Sequence, residues 1–386
     1  MTIFDVRPEV GLERAPEGDG WVAASHAAVQ TVLREPGWSS DHRNATRLVG
    51  FRADGGIPDI AGEVLSKILL FMDAPDHTRL RGLISKAFTP RSVERLRPRI
   101  AQLTEELLAP LREAGRFDVI NDFAFQLPVT VICELLGVPA DDCEMFRHLT
   151  RDLAVILDGD VTAAQLGGAA GAMLNLTAYL VPLFEERRRA PRADLISALV
   201  EAEEAGDRLG ADELLTTVAI LLIAGHETTM NLIGNGTLAL LRNPDQLELL
   251  RARPDLMPPA VEELLRYDSP VRLTIRTALR DANVGGETVR AGEQVMAMLH
   301  AANHDPAVFE SPDALDITRD THRHVAFGGG AHYCLGAALA RTEAQIALAA
   351  LVALPHLELA SDEPVWRPLL MFHALASLPV ACRAAC

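Results

Sequence analysis

Apolar residues recur at three- and four-residue spacing over residues 92–114, 123–136, 163–189, 211–241, 258–267 and 336–353, the signature of helices with one buried face. Strand-like patterning is confined to shorter runs, 276–279, 287–289, 294–298 and 376–380. The two kinds of element interleave without regular strand–helix alternation, which argues against a doubly wound sheet. The pattern predicts a mainly α fold with small β-sheets. No Pro-, Gly- or Ser-rich linker, repeat or low-complexity run divides it, so residues 1–386 read as a single domain. Residues 41–59 are polar and contain glycines, and read as a long loop.

Composition narrows the functional classes. The chain has 386 residues, 49% of them hydrophobic, enough to bury a large core. Its formal net charge of -17 would repel nucleic acid and anionic membrane surfaces, and no nucleic-acid motif is present. The N-terminal twenty residues are charged and lack an apolar stretch of signal-peptide type. Apolar runs such as 218–225 are too short to span a bilayer. A cytoplasmic protein with no membrane span is expected. The five cysteines, at positions 133, 143, 334, 382 and 386, are odd in number and irregular in spacing, which does not suggest a disulfide framework. Cys133 lies in an apolar helical pattern and reads as a buried small hydrophobe.

Candidate chemistry begins with FGGGAHYCLG, residues 327–336. Three successive glycines allow a tight turn that brings backbone close to something flat or bulky. Cys334 then stands just before a helix, whose free N–H groups and dipole favour a thiolate. The run is neither a dinucleotide-binding nor a phosphate loop, because Tyr333 takes the last Gly position and no Lys-Ser/Thr follows. A metal-bound cysteine, a nucleophile with a His–acid relay, and a Gly-rich turn with a structural cysteine all fit this segment alone.

A second segment, LLIAGHETTMNLIG at 221–234, is apolar enough to be simply a buried helix. Ala224-Gly225-His226-Glu227-Thr228-Thr229 nevertheless places a glycine and an acid in its middle. Glycine there costs about 1 kcal/mol relative to Ala, and a buried Glu costs more unless paired. The Thr228 hydroxyl can turn back to the carbonyl four residues earlier and bend the helix. His226-Glu227 starts an HExxH pattern, but residue 230 is Met, so a zinc-protease site is excluded. In AVEELLRYDSP, Glu263 and Arg266 are three apart on one helix face and can pair; alone, such a pair is usually a solvated surface contact.

Together these segments resemble the cytochrome P-450 family. FGGGAHYCLG matches its haem-loop pattern FGxGxHxCxG at every defined position, namely Phe327, Gly328, Gly330, His332, Cys334 and Gly336. Ala224-Gly225-x-Glu227-Thr228 matches the oxygen-binding helix and Glu263-x-x-Arg266 the family's Glu–Arg motif. The resemblance runs from about residue 72 to the C-terminus; the part before it is shorter than usual for the family, with the opening helix reduced or absent. It implies the P-450 fold, with haem b held between the oxygen-binding helix and the Cys-loop helix and Cys334 as proximal thiolate ligand, an arrangement whose sulfur favours O–O cleavage. It also implies that Phe327 shields the sulfur and His332 approaches a haem propionate. Gly225 would make room for dioxygen, Thr228 hydrogen-bond the bound oxygen and Glu227 relay protons. Glu263 and Arg266 would lock the core beneath the haem.

Further positions follow from the same likeness. MDAPDHTRLRGLISKAFTPR resembles the family's C helix, which makes His77 and Arg81 propionate partners, and Arg276 matches its propionate-binding Arg. The family's variable substrate-facing regions fall at 41–71, around Leu273 and Thr274, and around Met371 and Phe372; the last two are apolar and suit a hydrophobic small molecule. Arg272 reads as a surface residue. The implied activity is a haem monooxygenase that hydroxylates or epoxidises a hydrophobic natural product. No flavin-type GxGxxG or clustered cysteines are present, so electrons would come from a ferredoxin and an NAD(P)H-dependent reductase. Rival readings are an atypical P-450 (peroxide-using, coupling or desaturating), a haem sensor without turnover, and a helical protein with a structural cysteine.

Overall fold

The computed structural model describes residues 6–15, 20–46, 66–158, 162–204, 209–361 and 363–383. Most of the expected loop at 41–59, and of the substrate-facing stretch at 41–71, therefore lies outside the described residues. Along the chain the helices are α1 (His26–Arg34), α2 (Asp76–Ile84), α3 (Pro90–Ala114), α4 (Gln126–Leu136), α5 (Cys143–Asp158), α6 (Ala163–Arg189), α7 (Leu195–Glu204), α8 (Ala211–Arg242), α9 (Pro244–Ala252), α10 (Met257–Tyr267), α11 (Leu299–Asn303) and α12 (Ala337–Val352). The strands are β1 (Leu12–Arg14), β2 (Trp21–Ala23), β3 (Trp38–Ser39), β4 (Arg116–Asp118), β5 (Leu273–Ala278), β6 (Ala282–Val284), β7 (Glu287–Val289), β8 (Gln294–Met298), β9 (Glu358–Leu359), β10 (Val365–Trp366), β11 (Leu375–Ser377) and β12 (Pro379–Ala381).

Helix α8, 32 residues long and so roughly 48 Å at 1.5 Å per residue, is the axis of the molecule. From Met230 to Leu240 every side chain is buried, as expected of a helix apolar all round. α4, α5, α10 and α12 pack against it. α3 starts where the Thr89 hydroxyl accepts from Ser92 N (3.2 Å), a normal N-cap, and ends at left-handed Gly115.

Two expected elements shift. The helix expected at 123–136 starts only at Gln126, because Asp118 accepts from the N–H groups of Ile120 and Asn121 and opens a wider turn over Val119–Ala124. The strand expected at 376–380 is two strands in different sheets, β11 pairing with β10 and β12 with β4 and β9. At the switch Asp118 accepts from Leu378 N and the Ser377 hydroxyl. The expectation that no stretch is long and apolar enough to cross a membrane also needs correction. Val119–Leu136 and Ala164–Arg189 both qualify by length and composition. The first is 67% buried inside the fold, as a core helix would be, and the helix holding the second packs along α5, α7 and α8.

A five-stranded sheet, ordered β1-β2-β8-β5-β3, stands to one side of the helices. Its central pair β5–β8 is antiparallel, with Leu273 opposite Met298 and Arg276 opposite Val295. One-residue alternation on β5 aims Leu273 and Arg276 to opposite faces of the sheet. α12 starts directly after the Cys334 loop, so that loop is held against the α8 bundle by its own helix.

Candidate active site

Between α8 and the loop before α12 lies a cavity of 330 Å³. Ala224, Gly225, Thr228 and Thr229 form one wall, and Phe327, Gly328, His332, Cys334 and Gly336 the opposite one. His77, Arg81 and Arg276 stand at one edge, while Leu273, Thr274, Met371 and Phe372 line another part. The structure thus brings together residues nearly 300 positions apart. Arg272 is half-buried and lies outside the lining.

The cysteine loop is shaped by its backbone. Cys334 N–H donates to Phe327 O (3.0 Å) and Gly328 N–H to Val325 O (2.8 Å), closing a tight hairpin. Gly330 does not line the cavity; its φ of +63° and the Leu33 carbonyl oxygen 2.2 Å from where a Cβ would stand make glycine mandatory. Gly330→Ala should destabilise the protein by roughly 1–3 kcal/mol in urea unfolding; unchanged stability would show that the loop does not need this conformation. Burial pushes the Cys334 thiol upward in pKa, while the Gly336 backbone hydrogen bond and the Arg81 and Arg341 charges oppose it. A half-buried thiol with cations and an N–H around it is suited to lose its proton to a metal ion. The Phe327 ring sits under the Arg341 guanidinium, 4.4 Å from its centroid.

The edge of the cavity holds an excess of basic groups. The His77 and His332 rings lie 4.1 Å apart, tilted by 37°, and Nε2 of buried His77 has no hydrogen-bond partner among the described residues. Arg276 is 7% exposed and donates to Thr274 Oγ1 (2.9 Å) and Ile275 O (2.8 Å); burial, opposed by the Asp73 charge, lowers its pKa to about 10. Arg81 donates to Tyr333 O (2.5 Å). Burial and then the charges of Arg276, His77 and Arg81 push His332 down to about 3. Among the described residues no carboxylate forms a salt bridge with Arg81 or Arg276. Buried cations without counter-ions are costly, so this edge is built for an anionic group that the described residues do not supply.

On the α8 wall the Thr228 hydroxyl donates to Ala224 O (2.9 Å) and Thr229 to Gly225 O (3.3 Å), the back-bonding expected from the sequence. Gly225 and Ile132 of α4 both line the cavity, and a Cβ at Gly225 would meet Ile132 at 3.2 Å, so this glycine lets α4 pack closely on α8 beside the cavity. Glu227 itself lies outside the lining. It is 1% exposed and pairs with Arg367 of the C-terminal region.

Glu263 and Arg266 are both fully buried, joined by bonds of 2.7 and 2.8 Å. Arg266 also donates to the carbonyls of Asn303, Pro312 and Ala314, and Glu263 accepts from Asp316 N and Arg319 Nε. Arg319 and Asn303, whose Oδ1 accepts from Val325 N at 2.7 Å, complete this lock on the segment leading to the cysteine loop. Neither carries a local sequence signal, because their partners lie far away in the chain. Arg341, paired with Glu262 (2.7 Å), was missed too, since an Arg on an amphipathic helix carries no signal of its own.

The family model for cytochrome P450 matches residues 169–379. The chain belongs to the cytochrome P450 family. It is 42% identical over 378 residues to the cytochrome P450 monooxygenase PikC of Streptomyces venezuelae, covering 96% of this chain and 87% of that protein. It is 39% identical over 368 residues to the 6-deoxyerythronolide B hydroxylase of Saccharopolyspora erythraea, covering 94% and 90%. Its fold superposes, with a TM-score of 0.87, 39% identity and coverage of 94% and 92%, on the crystal structure of P450BioI in complex with hexadec-9Z-enoic acid ligated acyl carrier protein. This P450 therefore has the fold expected from its motifs, is a monooxygenase, and uses haem b with a cysteine thiolate ligand. Bacterial P450s generally draw their electrons from redox partners.

Proposed function

We propose that Cys334 is the iron ligand of a P450 that hydroxylates or epoxidises a hydrophobic natural product, with Ala224, Gly225, Glu227 and Thr228 on the oxygen side. The observation that supports this best is the cavity itself: one cysteine thiol and the Thr228 hydroxyl on its walls, and an edge of basic side chains where, among the described residues, no carboxylate forms a salt bridge with Arg81 or Arg276. The haem supplies the redox chemistry, activating dioxygen with two electrons so that one atom enters the substrate and the other leaves as water.

Around that group each side chain has a separate task. Gly336 N–H and the Arg81 and Arg341 charges hold negative charge on Sγ. His77, Arg81, Arg276 and His332 receive the two propionates, and charge-assisted hydrogen bonds there replace the missing counter-ions. Phe327 and Gly330 fix the loop, and Gly336 the start of α12. Thr228 can exchange its bond to Ala224 O for one across the cavity, with Glu227 behind it as proton source. Leu273, Met371 and Phe372 offer apolar contact and Thr274 a hydroxyl, the composition of a site for a mostly apolar small molecule. A relative named for hydroxylating 6-deoxyerythronolide B makes a macrocyclic or polyketide-like substrate the first to screen. Electrons come in this reading from a ferredoxin and its NAD(P)H-dependent reductase, in the cytoplasm.

The reduced carbon monoxide complex should show the shifted absorption of a thiolate-bound haem; a histidine-type spectrum overturns the ligand assignment. Thr228→Ala should keep that spectrum while most of the electrons consumed appear as hydrogen peroxide instead of product. Unchanged coupling would remove Thr228 from the chemistry.

A further inference from the structure

Glu227 and Thr228 are sequence neighbours on α8, yet only Thr228 reaches the cavity. The Glu227 carboxylate is buried and faces Nη1 of Arg367, whose side chain is 19% exposed. Arg367 follows β10 directly and opens the turn whose tip carries Met371 and Phe372 into the cavity. Its own backbone N–H closes that turn on Ala374 O (2.8 Å). On the far side the turn is held by Arg272 N to Met371 O (2.8 Å), by His373 N to Pro270 O (2.9 Å), and by the His373 ring, which bonds Asp268 (2.5 Å) and lies flat on Trp366 at 3.8 Å. One short turn thus touches both the substrate space and the acid of the oxygen-side helix.

An arginine does not give up its proton under ordinary conditions. Held by it, the Glu227 carboxylate is turned away from the cavity that Thr228 lines. Glu227 can carry a proton toward Thr228 only when it leaves Arg367, and the guanidinium has a solvent-facing side to turn to. We infer that Arg367 is a positioning residue that latches Glu227 away from the cavity and ties its release to the turn bearing Met371 and Phe372. This inference rests on the haem-monooxygenase reading above. A substrate pressing on that turn would loosen the latch, so that protons are admitted when there is something to oxidise.

The test uses the ferric holoprotein and the variants Arg367→Gln, Arg367→Lys, Glu227→Gln and the Arg367→Gln/Glu227→Gln double variant. Amide hydrogen exchange read by mass spectrometry should speed up across residues 367–374 in Arg367→Gln and in Glu227→Gln. The double variant should show no further rise, exchange in α10 should be unchanged, and Arg367→Lys should restore protection. Without substrate, and with a plant-type [2Fe–2S] ferredoxin and its NADPH-dependent reductase as donor, two electrons and two protons per dioxygen leave as hydrogen peroxide. Arg367→Gln should raise this release about tenfold, below the roughly 10²–10⁴-fold of a fully positioned proton donor because the latch is only partly closed without substrate; the double variant should return to the wild-type rate. Unchanged exchange in Arg367→Gln, or a rise in peroxide that persists in the double variant, overturns the latch. If instead wild-type protein lacks the thiolate spectrum, it is the underlying functional reading that fails.

Discussion

Replacement of Cys334 by alanine is expected to abolish the thiolate-type carbon monoxide spectrum and bring electron-driven turnover down to background. The thiol is the only cysteine side chain lining the cavity among the described residues, so no second thiolate can take over as ligand, and a His77 or His332 substitute would show a histidine-type spectrum instead. The protein should still fold, because the loop is shaped by backbone bonds such as Cys334 N–H to Phe327 O, which alanine retains. Cys133→Ala is the control. Cys133 is fully buried in α4, and its loss should cost roughly 1 kcal/mol of packing while leaving the spectrum intact. A thiolate spectrum surviving in Cys334→Ala would transfer the ligand to another residue.

The second large effect is expected from Glu263→Leu. It would strand the Arg266 guanidinium in a fully buried site with only carbonyl partners. Leaving one charge of a buried pair uncompensated costs about 3–5 kcal/mol, a large part of the roughly 5–15 kcal/mol that holds a folded protein together. Urea unfolding should show this loss, and purified protein should carry less haem, since the pair anchors residues 303–319 ahead of the cysteine loop. Arg319→Leu should cost less, because Arg319 is 12% exposed and Glu263 keeps Arg266. Near-wild-type stability and haem content in Glu263→Leu would reduce the pair to an incidental contact.

Some of these features were readable from spacing. The 3.6-residue period placed α3, α6, α8, α10 and α12 to within a few residues, because a helix that buries one face must repeat its apolar residues at that interval. Shorter elements were less visible. β11 and β12 read as one strand, since two strands that change sheet across a single residue leave the alternation unbroken; the carboxylate of Asp118, more than 250 residues earlier, makes the change. Arg319 and Arg341 were missed for a similar reason. Their partners Glu263 and Glu262 are distant in sequence, and nothing in a lone arginine marks it as half of an ion pair.

By itself the sequence determined the chemistry available: a cysteine after three glycines, an acid and an alcohol side by side on an apolar helix, a Glu–Arg pair one turn apart, and histidine and arginine at the C-helix and strand positions. These are local patterns, set by covalent neighbours and helical or strand period. The tertiary structure alone decided which way each group points. Cys334 and Thr228 face each other across one cavity, Gly225 turns its bare side to Ile132, and Glu227 turns away toward Arg367. The reason is physical: a helix presents successive residues about 100° apart, so adjacent side chains meet different neighbours, and those neighbours come from segments that only packing brings together.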